Sequence, residues 1–112
     1  MVDGPEVGDL GVRLACGADG LRITVLGVVD PLTAPLLAGI LREATAEPRM
    51  PVVLDLCRTT SLADGSAAMI GAARSALLTA EQPFVVRNAH GTVRRALIAR
   101  GMQDVLADDD HR

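Results

Sequence analysis

Pro51-Val52-Val53-Leu54-Asp55-Leu56 decides the fold. It is a short, nearly unbroken apolar run carrying one carboxylate. Such runs mark strands covered on both faces, as in a parallel sheet. On its C-terminal side, Arg58-Thr59-Thr60-Ser61 reads as a polar connection. From Asp64 the apolar residues Ala67, Ile70, Leu77 and Leu78 take helical spacing, with either Ala73 or Arg74 between them. Phe84-Val85-Val86-Arg87 follows as a strand, and Thr92 to Arg100 as a third helix with Val93, Ala96 and Leu97 inward. Gly101 is placed to end that helix, with Met102 making the apolar contact that accompanies such an ending.

On the N-terminal side of the run lies an earlier helix. Thr33 is its expected N-cap, and Pro35 sits in the first turn, where a missing N–H costs nothing. Leu36, Leu37, Ile40, Leu41 and Ala44 form one buried stripe, and Glu47-Pro48-Arg49 ends the helix. Two short strands come before it, Val12 to Cys16 and Leu21 to Leu26, joined by Gly17-Ala18-Asp19-Gly20. A loop that short favours an antiparallel hairpin. Residues 1–11 read as a loose lead-in and residues 107–112 as an acidic tail. The expectation is a single α/β domain over residues 12–106, in the order β-β-α-β-α-β-α. Its sheet is mostly parallel, with an antiparallel first strand at the edge and right-handed crossovers. Three helices cover such a sheet unevenly.

Composition removes several functions. The chain has 112 residues, enough for one core. Phe84 is its only aromatic residue, every one of its 11 basic residues is Arg, and its net charge is −3. A single-strand nucleic-acid binder needs stacking faces and a basic groove, and neither is present. Lysine chemistry is excluded. No apolar run approaches the roughly 20 residues that span a bilayer, so no membrane insertion is expected. The start of the chain lacks signal-peptide character, which points to the cytoplasm. Cys16 and Cys57 have no metal or redox spacing, so neither metal nor cofactor is expected. They read as two packed, reduced thiols, with a single disulfide left open. No Ser-His-Asp or Cys-His arrangement surrounds the lone His90, so the expectation is a non-enzyme. The rival enzyme reading would have to use Asp55, Asp64 and Ser66.

Three segments together resemble the STAS domain, the fold of bacterial anti-sigma factor antagonists. Gly27…Asp30 with Thr33 and Leu37 is similar to that family's approach to its first helix. Val52 to Leu56 resembles its central strand. Asn88…Val93-Arg94-Arg95-Ala96-Leu97…Gly101-Met102…Val105-Leu106 resembles its C-terminal pattern. The resemblance implies a regulatory module that binds an anti-sigma factor with a serine-kinase fold. It also implies a phosphorylated Ser at the start of the second helix, in a motif Asp-Ser-Ser/Thr-Gly. Added phosphate brings a charge of roughly −1.5 to −2 into the interface and ends binding.

This chain departs from that motif. Counted without a gap from Asp55, the family's Asp falls on Ala63 and its phosphorylated Ser on Asp64, with Ser66 as a displaced hydroxyl. Shifted by one, Gly65 takes the phosphoserine position. Neither register puts a hydroxyl there. Asp64 reads either as a helix N-cap or as a permanent phosphate mimic. The expected partner-binding residues are Asp30, Thr59, Thr60, Asp64, Gly65 and Ser66. The alternative is a STAS accessory subunit of a transport or multi-protein signalling assembly. The antiparallel edge offers a route to a homodimer.

Overall fold

The computed structural model describes residues 2–7, 10–17, 20–46 and 50–106. The expected order of elements is present, preceded by one further strand. Strands β1 (Val2–Val7), β2 (Leu10–Gly17) and β3 (Gly20–Val29) lead into helix α1 (Ala34–Ala46). Then come β4 (Val52–Leu62), α2 (Asp64–Thr79), β5 (Phe84–Arg87) and α3 (Gly91–Ala99), and a single 3-10 turn at Gln103–Val105. The five strands lie side by side in chain order. β1, β2 and β3 form an antiparallel meander, and β3, β4 and β5 are parallel. The acidic tail expected at residues 107–112 lies outside the described residues, as does the centre of the β2–β3 turn.

The stretch expected as a loose lead-in is a correction. It carries β1 and the start of β2, so β2 is antiparallel as expected but is not the edge. Gly4 and Pro5 hid the strand from its sequence. The β1–β2 register shifts between Asp3 and Glu6, where those two residues sit. Proline is tolerated there because an edge strand has one side without ladder bonds.

The connection expected at residues 58–61 is a second correction, because β4 runs on through it to Leu62. The parallel pairing with β3 shifts register twice, between Thr24 and Leu26 and between Gly27 and Val28. Each shift breaks the two-residue alternation that reveals a strand. Cys57 and Arg58 are both exposed, then Thr59 is buried, Thr60 and Ser61 are exposed, and Leu62 is buried. Gly27 lies at the second shift with a φ of 96°, a backbone state that suits a residue without Cβ.

Handedness settles where the helices go. The steps β3 to β4 and β4 to β5 move in one direction across the sheet. Two right-handed crossovers taken in one direction place both helices on the same face. α1 and α2 are accordingly neighbours. The end of α3 joins them, since Met102 packs beside Gly71 of α2 and Arg74 pairs with Asp104. The core lies between this helical layer and the sheet, and contains Val12, Ile23, Val25, Leu54, Leu56 and Val86 with Leu37, Leu41, Ile70, Leu77 and Leu97. The alternate positions Arg13, Ala15, Arg22, Thr24, Val53 and Arg87 point the other way and stay at least partly accessible. The apolar run at 52–56 is thus covered by helices on one face only.

Helix ends follow local chemistry. Gly101 donates to Ile98 O and Met102 to Leu97 O, the paired bonds of a Schellman ending, and Met102 is buried as expected. After α2 the same pair runs from Glu81 to Leu78 and from Gln82 to Leu77. Gln82 is buried, and its Nε2 donates to Ala44 O at the end of α1 and to Met50 O before β4. One amide therefore ties two crossovers together.

Gly20 gives the most direct test of this packing. Its φ is +111°, and a Cβ there would lie 2.3 Å from Pro51 O, beside the Leu21 N–H to Pro51 O bond that starts the β3–β4 ladder. Gly20→Ala is expected to lose at least about 1–3 kcal/mol from backbone strain alone. Chemical denaturation measures it, and a loss under about 0.5 kcal/mol, the range of neutral surface changes, contradicts the close approach.

Candidate functional site

Two segments meet at one end of the sheet because β3 and β4 finish together. Val29 pairs with Leu62, and the next amide, Ala63 N–H, donates to Val29 O at 3.0 Å. The turn after β3 is thereby placed beside the start of α2. Pro31, Ala34 and Pro35 from one segment and Gly65, Ser66 and Met69 from the other line a single cavity of about 380 Å³.

The turn is internally bonded. Asp30 Oδ1 accepts the N–H groups of Leu32 and Thr33, each at 2.9 Å. These bonds to its backbone and hydroxyl neighbour Thr33, together with the one from Leu32, outweigh partial desolvation and hold the Asp30 pKa below the ordinary carboxylate value. Thr33 was expected to cap α1 with its hydroxyl. It stands just before the helix, but its Oγ1 accepts Asp30 N–H and reaches back to Val28 O. Asp30 and Thr33 therefore lock the turn rather than reach forward into the helix. The lock leaves Leu32 projecting, 85% exposed. Leu32 was missed in the sequence, where the only signal is an apolar residue inside an Asp-Pro-x-Thr turn.

Four of the other five expected contact residues can be placed by their side chains or exposure. Thr60 and Gly65 are exposed. Thr59 is fully buried and donates from Oγ1 to Val25 O at 2.8 Å, inside the first register shift. Its role is to satisfy a carbonyl at the shift, and it cannot touch a partner. Ser66 is 1% exposed, and its Oγ has no hydrogen-bond partner. Asp64 is the first residue of α2, one position beyond the expected N-cap. The cap position is Ala63, which makes no side-chain bond. A carboxylate in the first helical turn still favours the positive end of the helix dipole, by about 0.3–1 kcal/mol.

Asp55 belongs to a different place, the open face of the sheet. Its Oδ2 accepts Arg22 Nη1 at 2.6 Å, and its Oδ1 accepts Cys57 N–H at 3.0 Å and Asn88 Nδ2 at 3.1 Å. Asn88 has a φ of 63°, and its bond joins the central strand to the start of the C-terminal segment. Burial pushes the Asp55 pKa up, but the bonds from Asn88 and Cys57 and the charge of Arg22 outweigh it, so the net shift is downward. Its carboxylate is held by structural partners. Partial burial of the sulfur and the adjacent Asp55 raise the Cys57 thiol pKa, which disfavours the thiolate. Both cysteines are free and exposed, not packed as expected. Among the described residues no three His, Cys, Asp or Glu side chains are grouped to hold a metal. No helix among them is long and apolar enough to cross a membrane.

The family described as "Mlab, STAS domain" matches residues 12–107. The chain belongs to the STAS domain family. No curated protein matches it by sequence. Among solved structures, the anti-sigma factor antagonist SpoIIAA in its unphosphorylated form superposes with a TM-score of 0.75 at 12% identity, over 90% of this chain and 89% of that one. An anti-sigma factor antagonist from Mycobacterium paratuberculosis gives 0.75 at 23% identity, over 87% and 82%. SiaC from Pseudomonas aeruginosa gives 0.62 at 18% identity, over 97% and 96%. At these identities the likeness is one of fold.

The Asp55 cluster sets a pH signature. Its folded pKa lies below an unfolded value of about 3.9. The stability it contributes is therefore present above that value and lost as pH falls through the folded one. Asp55→Asn is expected to be less stable than the parent at pH 6, with the gap closing as pH falls from 5 to 3. Urea unfolding at each pH measures it, and a gap that widens toward pH 3 contradicts the assignment.

Proposed function

We propose that this chain is a non-enzymatic regulatory module of the cytoplasm that binds a signalling protein through the Asp30–Thr33 turn and the start of α2. The partner class it fits is an anti-sigma factor with a serine-kinase fold. Leu32 supplies an apolar anchor on that turn, and Thr60 of β4 and Gly65 of α2 are exposed on the two elements that meet beside it. The chain has no Trp or Tyr, the usual anchors of tight interfaces, so this one projecting Leu carries more of the contact than it would elsewhere.

The same surface works without the serine switch. The observation that carries this reading is the content of the first turn of α2: Asp64, Gly65 and Ser66. The first is a carboxylate, the second has no side chain, and the third has its hydroxyl buried. A kinase needs the acceptor oxygen in its own active site, and a 1% exposed serine does not offer it. Asp64 supplies one fixed charge where a phosphate would supply nearly two.

A second reading is favoured by a specific likeness. One similar structure is that of the diguanylate cyclase SiaD in complex with its activator SiaC, with a TM-score of 0.64 at 18% identity. On this reading the chain is an accessory subunit of a multi-protein signalling assembly and uses the same surface to bind it.

Phosphorylation and binding test the proposal together. Incubated with ATP and a serine-kinase anti-sigma factor from its own host, the intact protein is expected to show no gain of about 80 Da, the mass of one phosphoryl group. A stoichiometric gain mapped to residues 59–66 overturns the claim. If Asp64 mimics phosphate, Asp64→Ser binds that partner at least about tenfold tighter in calorimetry, equal to about 1.4 kcal/mol. Equal affinity leaves Asp64 with a helix-end role alone.

A further inference from the structure

The open face of the sheet carries a charge pattern that the proposed docking surface does not use. The three parallel strands contain four charged residues in all, Arg22 on β3, Asp55 and Arg58 on β4, and Arg87 on β5. All four lie on the face away from the helices. Asp55 stands level with Thr24 on one side and Arg87 on the other, and Arg58 stands level with Leu26. Side chains level with each other, or two residues apart on one strand, share a face. Arg22 is two residues before Thr24 and reaches across to Asp55. The pattern is three guanidiniums on three adjacent strands around one carboxylate.

That carboxylate does not cancel three cations. Its two oxygens take Arg22 Nη1, Cys57 N–H and Asn88 Nδ2. The three strands therefore place an excess of positive charge on this face, in a chain whose net charge is −3, so the rest of the chain is more acidic than the whole. Pairing does not hide the cations. Arg22 keeps 43% of its side chain exposed, and Arg58 is exposed. Val53 and Val85 stand level with Arg22 and are partly accessible, so apolar surface adjoins the charge.

An acidic, extended protein segment matches this surface. Alternate side chains of such a segment point the same way about 6.6–6.8 Å apart, and neighbouring strands beneath it are about 4.8 Å apart. Each guanidinium can grip a carboxylate through two parallel hydrogen bonds. A nucleic acid matches it less well. Its unbroken run of phosphates would pass beyond the patch onto the more acidic remainder, and the lone aromatic ring, Phe84, is buried and offers no stacking face. We propose that the open face of β3, β4 and β5 is a second docking surface, and that its partner is an extended acidic segment of another protein whose alternate carboxylates meet Arg22, Arg58 and Arg87. This reading stands apart from docking at the Asp30–Thr33 turn, since it uses neither that turn nor α2.

Titration of the full chain with the capped pentapeptide Glu-Val-Glu-Val-Glu, followed by backbone amide NMR shifts, tests it. Saturable shifts are expected at Thr24, Val53, Arg58, Val85 and Arg87, and none at Ala38 or Ala73 in the helical layer. The same peptide with Gln for Glu should bind at least about tenfold more weakly. Raising the salt from about 0.01 M to about 0.15 M should weaken the acidic peptide several-fold. Arg58→Glu, at an exposed strand position, should weaken it at least about tenfold, while Arg95→Glu, at an exposed position on α3, should change it less than about twofold. Should Arg58→Glu disturb folding, the Gln peptide and the salt series on the parent protein decide the matter. No saturable shift, equal binding of the Gln peptide, affinity independent of salt, or equal losses in the two variants overturns the proposal. So does tighter binding of a short dT oligonucleotide, which would assign the face to nucleic acid. Shifts at the same amides that follow protein concentration with no peptide present also overturn it, and would assign the face to a second copy of the chain.

Discussion

Strand β4 spends seven residue steps, Asp55 to Leu62, where its neighbour β3 spends five, Thr24 to Val29. The two surplus residues are absorbed in two register shifts, and the strands still end side by side. The site depends on that common ending. Ala63 can bond Val29 O only because the surplus has been absorbed before it. Thr59 is the residue that makes this affordable, since its buried hydroxyl satisfies Val25 O where the ladder is broken. An apolar residue there would leave a buried carbonyl short of a partner, at a cost of about 1–3 kcal/mol.

The same arrangement explains why the molecule is two-sided. Consecutive right-handed crossovers put the helices in one layer, leaving the other sheet face to Arg13, Arg22, Asp55, Asn88 and Arg87. Bonds from Arg22, Asn88 and Cys57 to Asp55 hold β3, β4 and the end of β5 together on that face. The core on the helical side is built from Val, Leu, Ile and Ala with Met102 and with Phe84 as its only aromatic residue. Small side chains let helices approach closely where they meet the sheet. Between α1 and α2 the same small side chains leave an open groove.

The parts of the fold legible in the sequence were those with unbroken periodicity. The stripe from Leu36 to Ala44, the strand Phe84–Arg87 and the helix ending at Gly101-Met102 all follow rules that act within a few residues. β1 and the second half of β4 were not legible, because Gly4-Pro5 and the two register shifts break the alternation that reveals a strand. The site was half visible. Asp30 and the Asp64–Ser66 stretch stood out by their departure from, or agreement with, a motif. The inward turn of Thr59, the burial of Ser66 and the exposure of Leu32 are set by tertiary register, which no local pattern encodes. Asp30 and Thr33 read as turn and cap chemistry in the sequence, but which oxygen meets which N–H depends on the loop's path between Val28 and Ala34.

The claim that everything else rests on is that the turn after β3 and the start of α2 form one rigid unit fixed by the β3–β4 ending. Native-state amide hydrogen exchange tests it residue by residue. The amides of Thr33, Ala34 and Ala63, bonded to Asp30 and Val29, are expected to be protected alongside Ile23 and Leu54 of the core strands, exchanging only through large-scale opening. Exchange of Ala63 and Ala34 at the rate of an unprotected surface loop, while Ile23 and Leu54 stay protected, would contradict the account.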